Sequence, residues 1–145
     1  MSLAAIIIPV HNRIRHTLPC VERLAWCAAL PDWQIIVVDD ASTDGTAEAL
    51  RADHPHVRIV SGDGSLFWTG GIAAGMSDAL AHGATEIVWL NDDTEVDEAS
   101  LRRLVGLVRE NPKRIVSATA RVKGEVQSHH CLARKPVIAA PNELA

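Results

Sequence analysis

The chain has 145 residues, enough for one domain with a single hydrophobic core, and its 48% hydrophobic and 22% charged residues exclude disorder, collagen-like repeats and coiled coils. With 14 Lys and Arg against 18 Asp and Glu the net charge is −4, so no uniform positive field draws nucleic acid or an anionic membrane, and an anionic ligand requires local cations, backbone amides or a metal. The longest apolar runs, Leu3 to Val10 and Ile35 to Val38, fall far short of the ~20 residues that span a bilayer.

Apolar runs rich in β-branched residues alternate with helical patterns, a βαβ rhythm that predicts an α/β fold: a three-layer α/β/α sandwich around a mostly parallel sheet. Ala4 to Val10 reads as a first strand buried on both faces; no basic segment precedes it, so it is structure rather than a leader. Leu18, Val21, Leu24 and Ala25 then recur at helical spacing up to Pro31. A second buried strand, Gln34 to Val38, enters the loop Asp39-Asp40-Ala41-Ser42-Thr43-Asp44-Gly45 and a short helix through Ala47 and Leu50. Val57 to Val60 forms a third strand, and the Gly-rich segment Gly62 to Gly71 opens a helix with Ile72, Met76, Ala79 and Leu80 on one face. Glu86 to Leu90 is the fourth strand, ending in Asn91-Asp92-Asp93-Thr94-Glu95. An N-cap at Asp97 starts a helix with a Leu101, Leu104, Val105, Val108 stripe, stopped by Asn111-Pro112. Ile115 to Val122 reads as a fifth strand, Lys123-Gly124 as a turn into a short return strand, and Arg134 to Ala145 as irregular structure or a cut end.

Three loops at strand carboxyl ends hold the polar residues, where an open parallel sheet binds ligands. Neighbouring carboxylates ~4 Å apart repel by about 4 kcal/mol at an effective dielectric of 20, a cost that a divalent cation removes. Oxygen-only donors select Mg²⁺ or Mn²⁺, and one or two carboxylates leave the remaining positions to phosphates and water, so Asp92 and Asp93 imply a diphosphate ligand. Asp97 and Glu98 are read instead as helix-capping and dipole-complementing residues. In the second loop, Asp44 is expected to act locally in the turn and helix start. The glycines of the third loop let amides approach an anion, and Phe67 and Trp68 either stack on a ring or cover the core. Arg13 either meets phosphate or is a solvated surface residue. Cys20, Cys27 and Cys131 are odd in number, and on one helix the first two stand ~10 Å apart by rise, so reduced thiols and a cytosolic location are expected. His129-His130-Cys131 has metal-ligand residue types without matching distant ligands.

Three segments, Ile8-Pro9-Val10-His11-Asn12-Arg13, Ile36-Val37-Val38-Asp39-Asp40-Ala41-Ser42-Thr43-Asp44-Gly45-Thr46 and Trp89-Leu90-Asn91-Asp92-Asp93-Thr94-Glu95-Val96, together resemble the family 2 glycosyltransferases of GT-A fold, in order and spacing across residues 4 to 122. Ser65-Leu66-Phe67-Trp68-Thr69-Gly70 is similar to a rhamnosyltransferase-like subgroup. The resemblance implies a Rossmann-like nucleotide-binding half and sugar transfer, with inversion, from a nucleoside-diphosphate sugar to a saccharide or lipid-linked glycan. It implies that Pro9, His11 and Arg13 line the nucleotide pocket, that Asp40 meets the base, that Phe67, Trp68 and Gly70 contribute to the substrate site, and that Asp92 lies near the donor ribose or sugar. Asp93 is implied as the ligand of Mg²⁺ or Mn²⁺. A cytoplasmic protein, peripheral at the inner membrane face, follows from the same likeness. Two features depart from the family pattern. Ala73 and Ala74 stand where asparagine is common, and after Val122 the acids Glu125 and Glu143 lie in no recognisable catalytic context, so no general base is assigned. A single domain over 1–145 is therefore expected to be the donor-binding portion, the acceptor half missing. The alternative is a noncatalytic nucleotide-binding module of the same fold; an NAD-binding domain is disfavoured because no G-x-G-x-x-G follows the first strand.

Overall fold

The computed structural model describes residues 2–113 and 115–118, and the backbone of residues 121–122 and 125–126. The chain divides into two compact units, Met1–Glu98 and Ala99–Ala145.

The first unit is a four-stranded parallel sheet built from β1 (Ala4–Val10), β2 (Trp33–Asp39), β3 (Arg58–Ser61) and β4 (Glu86–Trp89), in the order β3-β2-β1-β4. β1 has a strand on each side and side chains packed on both faces, which is why Ala4-Ala5-Ile6-Ile7-Ile8 is a continuous apolar run with no exposed residue. Its register sets Ile7 beside Ile36 and Pro9 beside Val38, with Ile6 beside Ile35 and Ile8 beside Val37. The period of two then sends these pairs to alternate faces.

Three helices connect the strands: α1 (Ile14–Arg23), α2 (Thr46–Asp53) and α3 (Phe67–Ala81). From β1 to β3 the chain steps outward in one direction, then returns across the sheet to β4, so right-handed crossovers place α1 and α2 on one face and α3 on the other. The resulting α/β/α layering is the expected fold class. Ala5, Ile7, Ile36, Val38, Ile72, Ala79 and Ala84 form the core beneath α3.

Local differences from the sequence reading have physical causes. The first helix is not continuous to Pro31: α1 ends at Arg23, a 3₁₀ helix covers Ala25–Ala29, and Leu30 is extended, as a residue before proline is biased to be. Cys20 and Cys27 therefore lie on different elements, and neither is in a disulfide. α3 begins at Phe67, three residues before Gly70, and its buried positions are Gly71, Ile72, Gly75 and Ala79, while Leu80 is 38% exposed. Glycine carries no hydrophobic signal, yet a Cβ at Gly71 would stand 2.8 Å from Pro9 Cβ, and one at Gly75 would collide with Ile7 Cγ2.

In the second unit, α4 (Glu98–Glu110) starts directly after Asp97, ends before Asn111-Pro112, and buries Leu101 and Val105. The fifth strand expected over 115–122 is not formed at residues 115–118, where no ladder partner exists among the described residues and Ile115 is exposed. Instead β5 (Arg121–Val122) pairs antiparallel with β6 (Glu125–Val126), the expected return strand. Lys123, Gly124, His129, His130, Cys131 and the tail from Arg134 lie outside the described residues.

Candidate functional site

The chain changes direction across the sheet between β1 and β4, a topological switch point where open α/β sheets bind ligands at the strand carboxyl ends. A cavity of about 290 Å³ opens there, lined by Pro9, Val10, His11 and Arg13 after β1, Asp40 after β2, Phe67 and Trp68 at the start of α3, and Asn91, Asp92 and Asp93 after β4. Eight residues were singled out from the sequence for the ligand and one for the metal; all but Gly70 line this cavity. Gly70 sits one turn into α3, donating its N–H to Leu66 O at 3.0 Å.

The acidic turn is formed by Asn91-Asp92-Asp93-Thr94, closed by Thr94 N–H to Asn91 O at 3.1 Å, which puts both aspartates at its two central positions. Arg13 lies across them. Its Nε donates to Asp92 Oδ1 at 2.8 Å and Oδ2 at 3.0 Å, and its Nη2 donates to Asp93 Oδ2 at 3.0 Å. Thr17 Oγ1 gives a further hydrogen bond to Asp92 Oδ2 at 3.1 Å. The repulsion that the sequence suggested a divalent cation must relieve is thus already relieved by a guanidinium, and Arg13 is no idle surface residue. Asp92 is 4% exposed and fully engaged by Arg13 and Thr17, whereas Asp93 is 56% exposed and its Oδ1 accepts no hydrogen bond among the described residues.

Asp40 has a different duty from base contact alone. Its Oδ1 accepts the Gly64 N–H at 2.7 Å, and its Oδ2 accepts the N–H groups of Leu66 at 2.9 Å and Phe67 at 3.1 Å. Both oxygens of this buried carboxylate hold the Gly-rich loop and the first residue of α3. Gly62 permits the approach, since a Cβ there would fall 2.5 Å from Asp40 Oδ1. His11 is fixed by its Nδ1–H donating to the Asp40 carbonyl at 2.6 Å, which leaves Nε2 to accept from Asn12 Nδ2 at 3.2 Å.

Asp44 acts in its own turn, as expected, and also reaches across to the start of α1. It accepts from Thr46 N–H at 3.1 Å, from Thr46 Oγ1–H at 2.5 Å, and from Ile14 N–H at 2.9 Å, so it caps α1 from the neighbouring loop. Desolvation raises its pKa, but these hydrogen bonds outweigh that effect and hold it below the ordinary carboxylate value. Asn12, Ala41 and Phe67 all have left-handed backbones, with φ of 54°, 57° and 52°, one in each of the first three loops. For Ala41 and Phe67 this conformation costs roughly 1–2 kcal/mol each, and such strain collects at ligand sites.

Phe67 is 80% exposed and Trp68 48% exposed, so neither covers the core. Trp68 donates Nε1–H to Asn91 Oδ1 at 2.8 Å and meets Trp89 edge to face at 6.1 Å, itself an exposed ring. Asn91 and Trp89 were missed from the sequence, although both belong to the segment that carries the acidic turn; a strand-end aromatic reads as core until its exposure is seen. Among the described residues no cluster of three or more His, Cys, Asp or Glu side chains is placed to hold a cation. The exposed Asp93 carboxylate nevertheless fits a hard divalent ion that completes its shell from phosphate oxygens and water.

Fold and site together define an α/β domain with an open cleft at a strand switch point. Residues 5–135 match the glycosyl transferase family 2 profile, and the chain belongs to that family. It is 32% identical over 106 residues to an undecaprenyl-phosphate mannosyltransferase of Micrococcus luteus, covering 71% of this chain and 43% of that protein. It is 36% identical over 64 residues to a chondroitin synthase of Escherichia coli, covering 42% of this chain and 9% of that protein. Its fold is similar to that of S. aureus TarS 1-349, solved with UDP-GlcNAc, with a TM-score of 0.63 at 16% identity, covering 76% of this chain and 32% of that one. It is likewise similar to mannosyltransferase PcManGT of Pyrobaculum calidifontis, solved with GDP-Man and Mn²⁺, with a TM-score of 0.59 at 23% identity, covering 76% and 33%. The chain thus spans less than half the length of each of these proteins.

Proposed function

We propose that this chain is the donor-binding portion of a metal-assisted, inverting glycosyltransferase that takes a nucleoside-diphosphate sugar. The observation that carries this reading is the cavity at the β1/β4 switch point, where an acidic turn, a guanidinium and an exposed indole converge. Pro9, His11 and Arg13 line the nucleotide pocket, and Asp92 lies near the donor ribose or sugar. Asp40 meets the base, with Phe67 and Trp68 lining the same cavity. Asp93 holds Mg²⁺ or Mn²⁺, and when bound the ion offsets the charge that develops on the departing diphosphate. Arg13 orients the acidic pair, and Thr17 donates a hydrogen bond to the buried Asp92.

The relatives are named for transfer to undecaprenyl phosphate and for chondroitin synthesis, which supports an acceptor that is a lipid-linked glycan or a saccharide. The likeness of residues 65–70 supports placement in a rhamnosyltransferase-like subgroup. Among the described residues no helix is long and apolar enough to cross a membrane. The undisulfided Cys20 and Cys27 support a cytoplasmic setting, peripheral to the inner membrane.

Calorimetry tests the reading. UDP or GDP is expected to bind in Mn²⁺ and to lose most of that affinity in chelator; equal affinity under both conditions overturns the metal-bridged site. Asp93→Ala removes the metal dependence while unfolding stays cooperative.

A further inference from the structure

We infer that Arg13 is a built-in competitor of the divalent cation, so that metal enters this site efficiently only together with a diphosphate; the inference rests on the metal-bridged reading of Asp93. Arg13 engages Asp92 through Nε and Asp93 through Nη2, at 2.8 and 3.0 Å, and occupies the space between the two carboxylates. One guanidinium and two carboxylates sum to a single negative charge, so an incoming bare divalent ion meets little net attraction and a nearby cation. A diphosphate changes the balance, because it brings at least two further negative charges and oxygen ligands of its own.

The two contacts differ in strength, and that difference sets which one yields. At Asp92 a single Nε–H is shared between the two oxygens of a carboxylate only 4% exposed, which also accepts from Thr17. The Asp93 contact is a single hydrogen bond to a carboxylate 56% exposed. Exchange therefore breaks the Nη2–Asp93 ion pair and leaves Nε on Asp92. Arg13 stays beside the cavity with a donor group released, while Asp93 passes to the metal. Because coupling is reciprocal, whatever Arg13 subtracts from the affinity for bare metal reappears as cooperativity between metal and nucleotide.

Mn²⁺ binding without nucleotide, read from loss of the free-ion electron paramagnetic resonance signal, tests the inference. Arg13→Gln keeps a donor for Asp92 but removes the charge, and is expected to bind bare Mn²⁺ about tenfold more tightly than the parent. Arg13→Lys keeps the charge and is expected to remain within about twofold of it. UDP and GDP should then add less to Mn²⁺ affinity in Arg13→Gln than in the parent. A folded Arg13→Gln that binds Mn²⁺ no more tightly overturns the inference, as does a lysine variant that tightens as much as glutamine. If Arg13→Gln unfolds, the parent alone decides: its Arg13 side-chain N–H resonances should respond to Mg²⁺ with UDP or GDP and stay in place with Mg²⁺ alone. A full response to Mg²⁺ alone is the refuting result. Failure of UDP and GDP to bind at all counts against the donor reading and leaves the bare-Mn²⁺ comparison to judge Arg13 separately.

Discussion

Asp40 accepts three backbone N–H groups from one loop, and no other single side chain at the site organises so much backbone. Replacing it with asparagine removes the charge and turns an amide NH₂ toward at least one of those donors. Asp40→Asn is expected to lose about 1.5–3 kcal/mol, visible in denaturant unfolding, with faster hydrogen exchange at Gly64, Leu66 and Phe67. Weaker nucleotide binding with unchanged stability would show instead that the carboxylate serves the base alone. Cys20 gives a pH signature. Burial pushes its thiol from 9.0 up to about 11, with Arg23 opposing and the charges of Asp92 and Asp93 adding. The folded state therefore holds its proton where the unfolded chain loses it, so stability is full below pH 9.0 and falls as pH rises toward about 11. Melting of the parent and Cys20→Ala across that window checks the sign: the slope belongs to the parent. Asp44 works in the opposite range, because its folded pKa lies below 3.8; its contribution is present above that pH and disappears as acid protonates it in the folded state.

Helix α3 lies against β1 and β2 through glycines, which distinguishes it from a helix held by large side chains. Gly75→Ala drives a methyl into Ile7 and Val38, and is expected to cost about 1–3 kcal/mol by overpacking. Gly106→Ala in α4 meets nothing within 4 Å and should gain roughly 0.5–1 kcal/mol, so the pair of thermal shifts separates packing from helix propensity. The same contrast explains what the sequence made legible. β1 and β2 were readable because a strand flanked on both sides has an almost continuous apolar run, Ala4 to Val10 and Ile35 to Val38, whereas Ile115 and Val116 are apolar too and form no ladder among the described residues. The α3 stripe was half-read, with Leu80 included and Gly71 and Gly75 omitted, because hydrophobicity marks side chains and the close approach needs their absence. At the site, the residues named from motif order, Gly70 excepted, line one cavity. The Arg13 bridge could not be read, since it joins positions 79 and 80 apart in the chain through a tertiary contact.

At the scale of the molecule, the cavity is assembled wholly within the first compact unit, while the chain spans 43% of the matched mannosyltransferase and about a third of the solved neighbours. On the donor-portion reading proposed above, binding is expected to outrun chemistry: donor nucleotide bound, donor hydrolysis slow, and no efficient transfer to added acceptors, because a positioned base supplies typically 10²–10⁴-fold. Turnover at about 1 s⁻¹ or faster would refute the donor-portion reading.

The indole at the cavity mouth has an optical consequence. The protein contains four tryptophans and no tyrosine, so its ultraviolet emission comes from indoles alone. Trp68 lines the cavity with Trp89 against it, while Trp26 and Trp33 meet edge to face at the far end of β2, roughly 20 Å away along the strand. The first pair is half-exposed and emits toward the red; Trp33 is 6% exposed and emits toward the blue. A ligand entering the cavity should quench the red shoulder and leave the blue one unchanged, so the folded chain carries its own two-colour readout of occupancy, with the distal pair as internal reference.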